Sequence, residues 1–156
     1  MAESVSIPDT SDKEVIYSSI LPQLRALLEG ETNRIARLSN TAAVLKTAFQ
    51  WLWVGFYLVE DDELVLGPFQ GPVACTRIRK GKGVCGTAWD QQKTIIVPDV
   101  EKFPGHIACS SESRSEIVVP LIKDGLVWGV LDADSEHYGH FTPADGIYLE
   151  QLALIL

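Results

Sequence analysis

Cysteine is scarce in this sequence. Three occur in 156 residues, Cys75, Cys85 and Cys109, at spacings of 10 and 24 and with no CxxC pair. An odd number so spaced does not make a disulfide scaffold, and the close pairs of a structural zinc site are missing. His106, His137 and His140 are equally scattered, so no metal is expected. Basic side chains are short too: 13 Lys and Arg stand against 21 Asp and Glu, a formal charge of −8. Without a basic surface nothing displaces counterions from phosphates, which excludes nucleic acid and disfavours an anionic membrane. No apolar run nears the roughly 20 residues that span a bilayer. The opening MAESVSIPDTSDKE has neither the basic region nor the apolar segment of a secretory signal. A cytoplasmic location is therefore expected, where cysteines are buried, catalytic or metal-bound rather than permanently bridged.

The composition that is present, 46% apolar and 22% charged, suits one hydrophobic core without staples. No repeat or linker divides the chain, so residues 1–156 read as one domain with residues 1–10 as a loose N-terminal arm. Ser11 followed by Glu14 is a capping-box signature, and Val15, Ile16, Ile20, Leu24, Leu27 and Leu28 recur at helical spacing. Pro22 is expected to kink or split that helix and Gly30 to stop it. A second helical pattern covers 32–49. The period then changes. Residues 50–59 (QWLWVGFYLV) form a strand, with Trp51, Trp53, Gly55, Tyr57 and Val59 on one face and Leu52, Val54, Phe56 and Leu58 on the other. Both faces are apolar, so both should be covered. Strands follow over 64–69 and 74–79, a short helix over 84–92, a short strand over 94–97 and an irregular loop over 99–115. Residues 115–123 and 126–134 make a hairpin about Asp124-Gly125. Thr142 and Pro143 open a last helix running to Leu156, whose apolar pattern is expected to continue beyond that residue. The fold class is α+β: an antiparallel sheet with helices on one face and pocket-forming loops on the other.

Cys85, in Val84-Cys85-Gly86-Thr87-Ala88-Trp89, reads as a small buried hydrophobe. Cys109 lies among Gly, Pro and Ser and precedes Ser110, Ser111 and Glu112, the setting of an accessible nucleophilic thiol. His106, three residues earlier, is either a thiolate partner or, more simply, a surface histidine. Asp132 and Asp134 lie two apart on a strand and share a face, and the hairpin brings Glu116 near them. Asp is a poor strand former. Either these acids are solvent-exposed strand ends or they have a role. Clustered carboxyls keep a proton that one of them can deliver as a general acid, and together they can hold an ammonium group. Trp53 and Tyr57 are core residues or an aromatic wall for a methyl or thioether group. The set describes a pocket for a small zwitterion with an apolar side chain.

Five segments carry a family resemblance: GPVACTRI (71–78), GKGVCG (81–86), HIACSS (106–111), SRSEIVVPL (113–121) and GVLDADS (129–135). They resemble the free methionine-(R)-sulfoxide reductases, single GAF-domain enzymes, over nearly the whole chain and with all three cysteines in order. The resemblance implies a GAF-like fold and thiol-dependent reduction of free methionine (R)-sulfoxide. It makes Cys109 the catalytic cysteine, Cys75 the resolving cysteine that closes a disulfide with it, and Cys85 an auxiliary. Glu116, Asp132 and Asp134 match an acidic cluster that holds the substrate amine and protonates the sulfoxide, with Asp134 the candidate donor. Trp53 and Tyr57 match positions that wall the methyl end, and amides near Ile107 and Ala108 receive the carboxylate. Thioredoxin is the implied reductant, no bound cofactor is implied, and a homodimer is common for this domain type. Two other readings stay open: a non-catalytic GAF module binding a small ligand such as a cyclic nucleotide, and a cysteine redox sensor, for whose output domain the chain has no room.

Overall fold

The computed structural model describes residues 4–156; of the expected arm, residues 1–3 lie outside that range. Residues 4–10 form neither helix nor strand, yet they are held. Ser6 N–H donates to Gln23 Oε1 and Gln23 Nε2 donates back to Ser6 O, each at 2.8 Å, while Val5 and Ile7 pack against the core. Gln23 belongs to α1 (Lys13–Leu28). The cap of α1 is Asp12, not Ser11: its carboxylate accepts from the amides of Glu14 and Val15, a stronger acceptor at the positive end of the helix than a hydroxyl. Pro22 does not split α1. Pro22 cannot donate to the carbonyl of Ser18 one turn back, but Ser18 is an exposed residue that solvent can reach.

α2 (Arg34–Phe49) is capped by the Asn33 side chain and ends at Gln50, which adopts the left-handed conformation with φ 53°. That turn delays β1 to Trp53–Glu60 and swings Trp51 to the helix side, where it stacks on Phe49 with centroids 4.6 Å apart. Trp51 therefore does not share a face with Trp53. The other strands are β2 (Glu63–Gln70), β3 (Arg77–Arg79), β4 (Ile95–Val97), β5 (Ser115–Lys123) and β6 (Leu126–Ser135). They make one six-stranded sheet in the order β3-β2-β1-β6-β5-β4, with every neighbour antiparallel. The β5–β6 hairpin turns at Asp124 and Gly125, both with positive φ (53° and 76°), as an Asp-Gly turn requires.

Side chains alternate between two cores. Val54, Phe56, Ile117, Val119, Leu131 and Ala133 meet α1, α2 and α4 (Pro143–Ala153). Trp53, Tyr57, Val118 and Val130 meet α3 (Gly83–Gln91). Three helices thus cover one face, and α3 with the loops around it covers the other. α3 lies close enough for a Cβ on Gly86 to sit 2.3 Å from Arg79 O, so only glycine permits the approach. Among the described residues no helix is long and apolar enough to cross a membrane.

One buried polar knot joins the termini. Asp145, at the start of α4 and 1% exposed, accepts from Tyr17 OH at 2.9 Å, Lys13 Nζ at 2.6 Å and the Thr142 amide at 2.7 Å. Asp145→Ala leaves all three donors without their acceptor and is expected to cost about 3–5 kcal/mol, read as a lower urea midpoint at an unchanged slope.

Candidate active site

The cavity is built on the α3 side of the sheet. Register sets Glu116 of β5 opposite Asp134 of β6, and Asp132 between Val118 of β5 and Gly55 of β1. Period-two alternation then turns all three carboxyls to one face. The glycine at 55 matters. A Cβ there would lie 2.3 Å from Phe69 Cβ and 2.7 Å from the Trp53 ring, so its absence lets Trp53 and Phe69 stack across it at 5.3 Å. Trp53 is fixed further by donating from Nε1 to Pro72 O at 3.1 Å, and Tyr57 by donating from OH to Cys75 O at 2.9 Å.

The acids are inside the protein. Glu116 and Asp132 are each 6% exposed. Burial, then the charges of Asp132 and Asp134, hold the Glu116 carboxyl well above its usual range; burial and Asp134 do the same to Asp132. Burial lifts Asp134 to about 6, opposed by the Ser113 hydroxyl, which donates to Oδ1 at 2.6 Å. The cluster is therefore a store of protons near neutral pH. Asp132 Oδ1 has no hydrogen-bond partner among the described residues. A buried acceptor left unpaired costs about 1–3 kcal/mol and marks a place for a donor. Cys85, on α3, puts its Sγ 4.0 Å from Glu116 Oε1, and burial with the neighbouring acids pushes this thiol well above its usual range.

Above the acids runs the loop that follows the single 3-10 turn Val100–Lys102. It carries Cys109, which is disulfide-bonded to Cys75 with Cα atoms 5.4 Å apart. His106 Nε2 lies 3.9 Å from Glu116 Oε2, and burial lowers its pKa, keeping the imidazole neutral at pH 7. The space enclosed is about 50 Å³, several times the minimum that holds one water.

Of the residues expected at a site, Trp53, Tyr57, Cys85, Ile107, Cys109, Glu116, Asp132 and Asp134 line this cavity. Cys75 reaches it through the disulfide, while Ala108 is exposed and is not among the lining residues. Ser113 carried no local signal, and His106 stood between two readings. His106 is not on the surface: its side chain is 14% exposed and lines the cavity beside Glu116. Ser113 binds Asp134 across 21 residues, a partnership visible only once the hairpin register is known.

The GAF domain family profile matches residues 33–156. The chain is 60% identical to GAF domain-containing protein A of Dictyostelium discoideum, over 100% of this chain and 99% of that protein. It is 44% identical to the free methionine-R-sulfoxide reductase of Saccharomyces cerevisiae, over 99% of this chain and 91% of that protein. Among solved structures, the free methionine-R-sulfoxide reductase of Neisseria meningitidis in complex with its substrate superposes with a TM-score of 0.96. It shows 56% identity, covering 99% of this chain and 93% of that one.

Proposed function

The chain belongs to the GAF-domain family and, within it, to the free methionine-R-sulfoxide reductases, and from that premise we propose that it reduces free L-methionine (R)-S-oxide to methionine. The observation that carries this reading is the pairing of Cys109 with Cys75 beside a cavity holding three carboxyls whose burial raises their affinity for protons.

In the proposed reaction the Cys109 thiolate attacks the sulfoxide sulfur. The sulfoxide oxygen takes a proton from a carboxyl, for which Asp134 is the candidate with Glu116 or Asp132 in support. The oxygen passes to Cys109, leaving methionine and a sulfenic acid. The Cys75 thiol then attacks Cys109 Sγ, hydroxide leaves with the Cys75 proton as water, and the disulfide closes. An external dithiol, thioredoxin in our reading, returns both thiols with two electrons and two protons, and no bound cofactor is needed. This places the work in the cytoplasm, where such dithiols stay reduced. The substrate ammonium faces Asp132 and Glu116, the methyl end faces Trp53 and Tyr57, and amides near Ile107 and Ala108 take the carboxylate. Carboxylates normally oppose a nearby thiolate. Here burial raises the affinity of all three acids for protons, and the incoming ammonium pairs the remaining charge. All these groups come from one chain, so a homodimer, an assembly common for this domain type, would hold two complete sites.

The test is a stereoresolved assay of both methionine sulfoxide epimers, free and peptide-bound, with thioredoxin as donor. Only the free R epimer is expected to be consumed. Binding of the free sulfoxide with no turnover of either epimer reduces the protein to a ligand-binding module.

A further inference from the structure

We propose that Cys85, Glu116 and Asp132 form a site for a soft divalent cation, with zinc as the best-fitting ion. Sγ of Cys85 and one carboxylate oxygen from each acid lie within 4.8 Å of one another, and all three residues are buried. Zinc holds sulfur at about 2.3 Å and carboxylate oxygen at about 2.0–2.2 Å, so each atom reaches a common ion by moving less than about 1 Å. The supports are rigid: Cys85 sits on α3, pressed against the Arg79 carbonyl at Gly86, and the acids sit on two paired strands.

A second observation is independent of that clustering. Asp132 Oδ1 is a buried acceptor with no partner among the described residues, on a side chain that lines the cavity. It is a buried electron-pair donor on a residue whose carboxylate reaches the other two ligand atoms. Three protein ligands leave a fourth position to water or to His106, whose Nε2 is 3.9 Å from Glu116 Oε2. Three protein ligands with one open position is the arrangement zinc takes where the ion stays accessible. The thiolate selects against magnesium and calcium, which prefer oxygen throughout. Binding displaces the thiol proton and the protons that the two carboxyls hold, and the ion's two positive charges offset most of the three negative charges so gathered. The ligands stand 31 and 47 residues apart from Cys85, which is why the spacing of the cysteines gave no zinc signature. The ion occupies carboxylates that hold the substrate ammonium in the function proposed above. On that reading it inhibits by competing with methionine sulfoxide.

The experiment uses the full chain with the Cys75–Cys109 disulfide closed, so that Cys85 is the sole free thiol, and cobalt(II) as a spectroscopic stand-in for zinc. One equivalent of cobalt is expected to give a thiolate-to-cobalt charge-transfer band that added zinc abolishes. Cys85→Ser should lose the band. Asp132→Asn, nearly the same shape and thus the safer variant for folding, should weaken binding on the order of 10–100-fold. No band with cobalt in large excess, or a band that survives in Cys85→Ser, overturns the site. Zinc is further expected to raise KM for the sulfoxide at constant kcat. A cobalt band without that competition upholds the ion site and overturns only the seating of the substrate ammonium.

Discussion

A Cys109→Ser protein is expected to lose sulfoxide reduction by a factor on the order of 10³ or more, because a hydroxyl at this position has no base to ionise it and sulfur is the better nucleophile. Carboxylates, even with burial raising their affinity for protons, are far weaker bases than an alkoxide, so the serine gains little activation from its surroundings. Cys75→Ser separates the two halves of the reaction. Reduced Cys75→Ser, given free methionine (R)-sulfoxide and no reductant, should release one methionine per chain and stop with Cys109 as a sulfenic acid, detected by a dimedone adduct. Wild-type protein treated the same way should also release one methionine but end as the Cys75–Cys109 disulfide, without the adduct. Steady turnover by Cys109→Ser, or dimedone labelling of Cys85 in place of Cys109, would falsify the assignment of the nucleophile.

Asp134→Asn should move activity and stability in opposite directions. Activity is expected to drop on the order of 10²–10⁴-fold through loss of a proton donor. Stability is expected to rise. Burial lifts the Asp134 carboxyl from its ordinary 3.8 to about 6. Between those values the unfolded chain has released a proton that the folded protein keeps. Unfolding is therefore favoured progressively as pH climbs through the window, and the penalty is complete above pH 6. At 1.36 kcal/mol per pH unit it amounts to about 3 kcal/mol. Asparagine cannot ionise, yet it keeps an oxygen to accept from Ser113 Oγ. Its advantage should be full at pH 7.5 and gone below about pH 4, read as the difference in urea midpoint between variant and wild type. Equal midpoints at pH 7.5 would mean that Asp134 ionises freely and is no store of protons. Glu116, raised by burial and the charges of Asp132 and Asp134, and Asp132, raised by burial and the charge of Asp134, act with the same sign. Wild-type stability should thus decline from mildly acidic to neutral pH.

Much of the molecule was legible locally. The Asp124-Gly125 turn and its flanking strands were readable because an Asp-Gly pair supplies the two positive φ angles that a tight hairpin needs. The shared face of Asp132 and Asp134 followed from the two-residue period of a strand, and their nearness to Glu116 from the turn between them. Errors came where neighbouring signals competed. Asp12 displaced Ser11 as cap because a carboxylate outcompetes a hydroxyl at a helix start. Gln50 took a left-handed turn that carried Trp51 to the opposite face from Trp53.

Patterns within about ten residues, then, settled the elements, their alternation and the acids' common side, since backbone sterics and side-chain period act at that range. Folding alone decided that burial raises the acids' affinity for protons, that Ser113 and His106 attend them, and that Cys85 stands among them. Burial and charge coupling depend on what the rest of the chain packs overhead, and no stretch of sequence carries that information by itself.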